Sequence, residues 1–144
     1  PDRRALLCQY QRRFEKVNGL LQRIVNESEN GTTVIVEGHR DEASLRKLGV
    51  TGRILPLKAV GKGSTDLLEG EISRNRVLIL TDFDEEGKKL AAFLARELAH
   101  LRVKANYEVW RQLREVVRRD IHAVEELAGF VERLKMKIED KRGS

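Results

Sequence analysis

Between residues 33 and 105 short β-branched runs alternate with stretches of helical periodicity, and this alternation restricts the chain to an α/β fold built on a parallel sheet. Thr33-Val34-Ile35-Val36, bounded by Gly31 and Gly38, reads as a buried strand. Residues 41–48 suit a helix closed by Gly49, and Arg53–Leu57 reads as a second strand leading into a loop over 58–64. Ser64 or Thr65 can cap a short helix reaching about Asn75. Arg76–Thr81 is the clearest buried strand, followed by a helix with acids in its first turn and by a short last strand at Val103–Ala105.

Helical segments flank this core. Leu7, Tyr10, Phe14, Val17, Leu21 and Ile24 recur every three or four residues and mark an amphipathic N-terminal helix. Asn106 and Asp120 are expected to cap two closing helices over 107–118 and 121–139. In the second of these, Ile121, Val124, Ala128, Val131 and Ile138 form an apolar stripe, and Gly129 is expected to mark close packing. The expected organisation is an N-terminal helical extension over 1–30, a three-layer, Rossmann-like α/β domain over 31–106 and a C-terminal helical extension over 107–144.

Charge divides along the same lines. Of the net +5, residues 1–30 contribute +2 and residues 102–144 contribute +3, while residues 31–101 balance. Basic flanks around a locally acidic centre suit a metal-dependent protein working on a polyanion. Aromatic residues make up only 5% of the chain, which argues against recognition mainly by base stacking. Cys8 is the sole cysteine, so an intramolecular disulfide and a cysteine zinc site are both excluded. With no apolar run near the ~20 residues of a membrane span, and no secretory pattern at the N-terminus, the expected setting is cytoplasmic.

The chemistry gathers where two strands stop. The strand 33–36 runs into Glu37-Gly38, and the strand 76–81 runs into Asp82-Phe83-Asp84, with Gly87 close behind. Residues two apart in extended chain point the same way, so Asp82 and Asp84 can face one ion. Sites in open parallel sheets form beyond the carboxyl ends of the strands, where the winding reverses. If these two strands are neighbours, Glu37, Asp82 and Asp84 converge there, and Gly38 and Gly87 allow the backbone to approach closely. Oxygen ligands without histidine or thiolate suit Mg²⁺ or Mn²⁺.

The stretches VIVEGHRDEASL and LILTDFDEEGKKLA resemble the two motifs of toprim domains: an apolar strand ending in Glu-Gly, then an apolar strand ending in Asp-x-Asp followed by a glycine. The resemblance covers about residues 32–106 and is strongest to small stand-alone toprim proteins related to the ribonuclease that matures 5S ribosomal RNA precursors, and to the toprim domain of bacterial primases. It implies that Asp82 and Asp84 hold the divalent ion and that Glu37 either assists them or acts as general acid/base. It implies a further acidic role for Asp41. His39 stands where the maturation ribonuclease carries lysine, and a histidine there can meet a phosphate or shuttle a proton.

Two further stretches are candidates for phosphate contact, with a flexible turn and a solvated helix face as their respective alternatives. Lys62, in Gly61-Lys62-Gly63-Ser64, offers an ammonium among backbone N–H groups. Arg111, Arg114 and Arg118 share one helical face suited to a nucleic-acid backbone, beside the apolar stripe Trp110, Leu113 and Val117. The resulting expectation is a Mg²⁺-dependent nuclease for structured RNA, such as a ribosomal RNA precursor, with RNA preferred over DNA and a homodimer compatible with the sequence. The alternatives are a non-catalytic module that binds RNA or a ribonucleoprotein particle, and a primase-like nucleotidyl transferase.

Overall fold

The apolar stripe of the N-terminal segment forms one long helix, α1 (Arg3–Glu29), in a computed structural model that describes residues 2–60 and 76–143. Asp2 caps its start by accepting from the Arg4 N–H at 3.2 Å. Val17, Leu20, Leu21 and Ile24 are buried, and this face packs against two later helices, α5 (Glu108–Val117) and α6 (Leu127–Arg142). The helical flanks therefore cover one another's apolar faces within a single chain. No described helix is long and apolar enough to cross a membrane.

Four parallel strands form the sheet: β1 (Thr33–Val36), β2 (Ile54–Pro56), β3 (Arg76–Ile79) and β4 (Lys104–Asn106). Their spatial order is β2-β1-β3-β4. The chain thus steps outward in one direction from β1 to β2 and in the other from β3 to β4, and the reversal falls between β1 and β3. Ile35 lies opposite Ile79 across that junction, and Ile35 lies opposite Leu55 on the other side. Every residue of β1 is buried, as are Val77, Leu78 and Ile79, which accounts for the uninterrupted apolar runs of these two central strands. Pro56 ends β2 at the sheet edge, where a missing N–H costs least.

Helix α2 (His39–Lys47) follows β1, and Gly49 closes it with φ +99, a conformation that favours glycine. Helix α4 (Glu85–His100) packs on β3 and β4. The short α3 (Leu57–Val60) occupies the beginning of the stretch expected to be a loop. Lys62 and the helix expected to end near Asn75 lie outside the described residues.

The C-terminal segment departs from expectation in an informative way. The N-cap of α5 is Tyr107, not Asn106, although Asn106 Oδ1 accepts from the Glu108 N–H at 2.9 Å. Asp120 caps nothing and instead pairs with Arg13 of α1. The last helix begins only at Leu127, after a 3₁₀ turn at Val124–Glu126, because the N–H groups of residues 122–125 bond to side chains instead. Gly129 faces outward, with only the end of the Arg133 side chain near the position a Cβ would take, so it marks no close packing.

Candidate metal centre at the carboxyl edge of the sheet

Because β1 and β3 are neighbours, the residues that follow them meet. Leu80 donates its N–H to the Ile35 carbonyl at 2.8 Å, which extends the pairing beyond β3. Two residues on, the Asp82 N–H donates to Glu37 Oε2 at 2.7 Å. The glutamate that ends one strand therefore holds the backbone at the end of the next.

The Asp82 loop is pinned from several directions. Trp110 Nε1 of α5 donates to the Thr81 carbonyl at 2.8 Å, and Arg114 Nε donates to the Phe83 carbonyl at the same distance. The Phe83 N–H donates to the His122 carbonyl at 2.7 Å. Phe83 itself is buried, which leaves the acids on either side of it turned away from the core. Thr81 Oγ1 donates to the Gly87 carbonyl at 2.7 Å. A Cβ at Gly87 would overlap the Asp82 backbone carbonyl, so glycine is needed here for the close approach of α4 to the loop. Gly38 has ordinary space around it, so close approach is not what places a glycine there.

Asp84 is the N-cap of α4, its Oδ1 accepting from the Gly87 N–H at 2.8 Å. Asp82 Oδ1 accepts from the Val124 N–H at 3.2 Å. Asp41 lies beside this pair, buried, with Oδ2 accepting from the Gly38 N–H at 3.0 Å and Oδ1 from the Glu125 N–H at 2.8 Å. Burial raises the Asp41 pKa, against the lowering effect of those two N–H groups. Asp82 is pushed up to about 7, first by burial and then by the charges of Glu37 and Asp41.

Among the described residues, no three acidic, histidine or cysteine side chains stand in an arrangement that would already enclose an ion. Each of the three expected ligands has one oxygen committed to a backbone N–H, and no hydrogen bond among the described residues engages Glu37 Oε1, Asp82 Oδ2 or Asp84 Oδ2. An all-oxygen donor set, in which burial and acidic neighbours raise the pKa of one carboxyl, fits a hard divalent cation.

The remaining expected residues are dispersed around this centre. His39 is exposed at the start of α2, 3.8 Å from Glu42. Arg111 is exposed and pairs with Glu108 at 3.5 Å, and Arg118 is exposed at the end of α5. Arg114 turns inward, binding Phe83 and pairing with Glu85 at 3.3 Å. The structure also brings in a residue that the sequence does not single out. Lys58 donates its N–H to the Glu37 carbonyl at 3.1 Å, and its charge acts on Asp41. A lysine two residues past a strand is an ordinary surface lysine in sequence, so only the position of β2 beside β1 could have marked it.

An open parallel sheet whose two central strands end on Glu-Gly and Asp-x-Asp at the reversal point is the architecture of a toprim-type domain. The Toprim domain profile matches residues 31–107. The chain is 38% identical over 128 residues to a UPF0292 protein of Pyrococcus furiosus, covering 89% of this chain and 93% of that one. It is 33% identical to a UPF0292 protein of Methanosarcina barkeri, covering 89% of each. A solved structure of a protein from Aquifex aeolicus shares the fold, with a TM-score of 0.60 and 20% identity over 75% of this chain and 94% of that one. The chain therefore belongs to the toprim family, with UPF0292 proteins as relatives. Membership assigns the general role of toprim domains, which is metal-linked and associated with nucleic acid.

Proposed function

We propose that this protein is a Mg²⁺- or Mn²⁺-dependent toprim nuclease acting on structured RNA, with a ribosomal RNA precursor as the substrate class. The observation that carries this reading is the junction of Glu37 with Asp82. The glutamate that follows β1 accepts from the Asp82 backbone N–H beyond β3 at 2.7 Å, and the Asp82 carboxyl has its pKa raised to about 7 by burial and by the charges of Glu37 and Asp41. Asp82, Asp84 and Glu37 are the residues that would hold the ion, which when bound supplies Lewis-acid stabilisation of charge developing on a phosphate. Glu37 manages a proton on the attacking or leaving oxygen, since its Oε1 is uncommitted while Oε2 fixes the carboxylate in place. The Asp82 loop enters the reaction already immobilised by Trp110, Arg114 and His122, so little ordering remains when substrate arrives. Exposed Arg111 and Arg118 track the phosphate backbone.

One observation favours a second reading, that of a non-catalytic RNA-binding module. The 3₁₀ turn sits directly on Asp82 and Asp41 and occupies part of the space beside the acids. The two readings separate in one experiment: RNA recovered with the native protein is re-bound and incubated with Mg²⁺ or Mn²⁺. The nuclease reading expects metal-dependent cleavage by the parent, and binding without cleavage by Glu37→Gln. Tight binding by the parent with no cleavage under either ion leaves the module.

A further inference from the structure

Two consecutive backbone N–H groups of the C-terminal segment, those of Val124 and Glu125, bond to two acids on different elements, Asp82 in the loop beyond β3 and Asp41 in the first turn of α2. Val124 reaches Asp82 Oδ1 at 3.2 Å and Glu125 reaches Asp41 Oδ1 at 2.8 Å, from 42 and 84 residues away in sequence. The same segment accepts the Phe83 N–H at the His122 carbonyl, and its next turn donates the Ala128 N–H to Ser44 Oγ at 3.0 Å. It is also braced internally. Glu126 Oε2 accepts from the N–H groups of His122 and Ala123 at 2.8 and 2.9 Å. The segment is thus a preformed turn seated across β3 and α2, and not a loose end lying on the surface.

Asp41 differs from the three candidate ligands in one decisive respect. Both of its oxygens are bonded to backbone N–H groups, one from Gly38 and one from Glu125, and it is only 5% exposed. Asp82 keeps Oδ2 uncommitted, whereas Asp41 keeps neither oxygen. Its two bonds join the turn that carries Glu37 to the C-terminal segment.

We propose that the 122–126 turn is a positioning element of the acidic site and that Asp41 is the residue that seats it, not a ligand of the ion. Through Asp41 the turn fixes Gly38 and hence the Glu37 backbone; through the Val124 N–H it fixes which oxygen of Asp82 faces outward. This inference rests on the metal reading of Glu37, Asp82 and Asp84. Outer partners that orient metal ligands typically change metal affinity by about 10- to 100-fold when removed.

The test uses the full chain and three variants. Asp41→Asn keeps the shape but turns an amide NH₂ toward one of two N–H donors. Glu125→Pro removes the N–H given to Asp41 while leaving Asp41 intact, and Glu125→Ala keeps that N–H and removes only the side chain. Mn²⁺ affinity is measured by titration, and amide hydrogen exchange is measured in the metal-free proteins. Positioning predicts that Asp41→Asn and Glu125→Pro each weaken Mn²⁺ binding about tenfold or more, whereas Glu125→Ala does not. It also predicts faster exchange at the Asp82 amide in both weakened variants, with the Ile35 and Leu78 amides unchanged. Weaker binding in Asp41→Asn alone makes Asp41 a ligand and overturns the proposal. Tighter binding in Glu125→Pro makes the turn a competitor of the ion and also overturns it. If the parent itself binds no Mn²⁺, the metal reading falls, and the Asp82 amide alone then decides: faster exchange in both variants upholds the positioning role, unchanged exchange overturns it.

Discussion

Gly87 and Asp82 lie so close that no Cβ fits between them, and each carries a prediction at the residue scale. A side chain at residue 87 has nowhere to go except into the Asp82 carbonyl, so either α4 or the loop must shift. Gly87→Ala is expected to destabilise the fold by about 1–3 kcal/mol or more, as overpacking against rigid backbone does, visible as a lowered urea midpoint with an unchanged slope. Asp82 gives a pH signature. Its folded pKa of about 7 lies above its ordinary value of 3.8, so the folded state binds the proton more tightly than the unfolded one. The stability linked to that proton is fully present below about pH 4 and is lost as pH rises through about 7. In the absence of divalent ions, Asp82→Asn is therefore expected to flatten the fall in melting temperature between pH 5 and pH 8. A parent and variant that decline in parallel would remove Asp82 as the source.

At the scale of elements, α5 serves two purposes on two faces. Trp110 and Arg114 hold the carbonyls on either side of Asp82, while Arg111 and Arg118 stand exposed. Arg114→Ala leaves the Phe83 carbonyl without its donor and is expected to cost about 1–3 kcal/mol of stability. Arg111→Ala and Arg118→Ala are expected to leave stability within about 0.5 kcal/mol. Each should instead reduce the salt slope of nucleic-acid binding by roughly 0.7–0.9 for every phosphate it no longer neutralises. Denaturation curves and binding isotherms at several salt concentrations distinguish the two kinds of arginine. An Arg114→Ala protein of full stability with a flattened slope would place Arg114 on the nucleic-acid face instead. Helical spacing puts the three arginines on one side of α5, but it carries no information about the Phe83 carbonyl that Arg114 alone of them meets.

Over the whole molecule, the features legible in the sequence are those that short stretches of chain decide locally. The run Thr33–Val36 is buried throughout and Arg76–Ile79 is buried after its first residue, and acids follow within three residues of each strand's end. The strand order β2-β1-β3-β4 then brings those acids together. Several of the groups that fix the acids in place are not legible, because they belong to the backbone. The N–H groups of Val124 and Glu125 and the carbonyl of His122 have no side-chain signature, and they arrive from the far end of the chain. For the same reason Asp120 has the look of a cap: its actual partner, Arg13, sits in α1 and is brought near only when the flanking helices pack.

The proposed function stands or falls with binding of a divalent ion at the carboxyl edge of β1 and β3 through Asp82, Asp84 and Glu37. The most direct measurement is a calorimetric titration of the full chain with Mn²⁺ at pH 8, with the Asp82→Asn/Asp84→Asn double variant titrated alongside under the same conditions. Saturable binding by the parent and its loss in the variant are expected, with circular dichroism showing both proteins folded. Equal binding by the two proteins, or none by the parent, would contradict the proposed function.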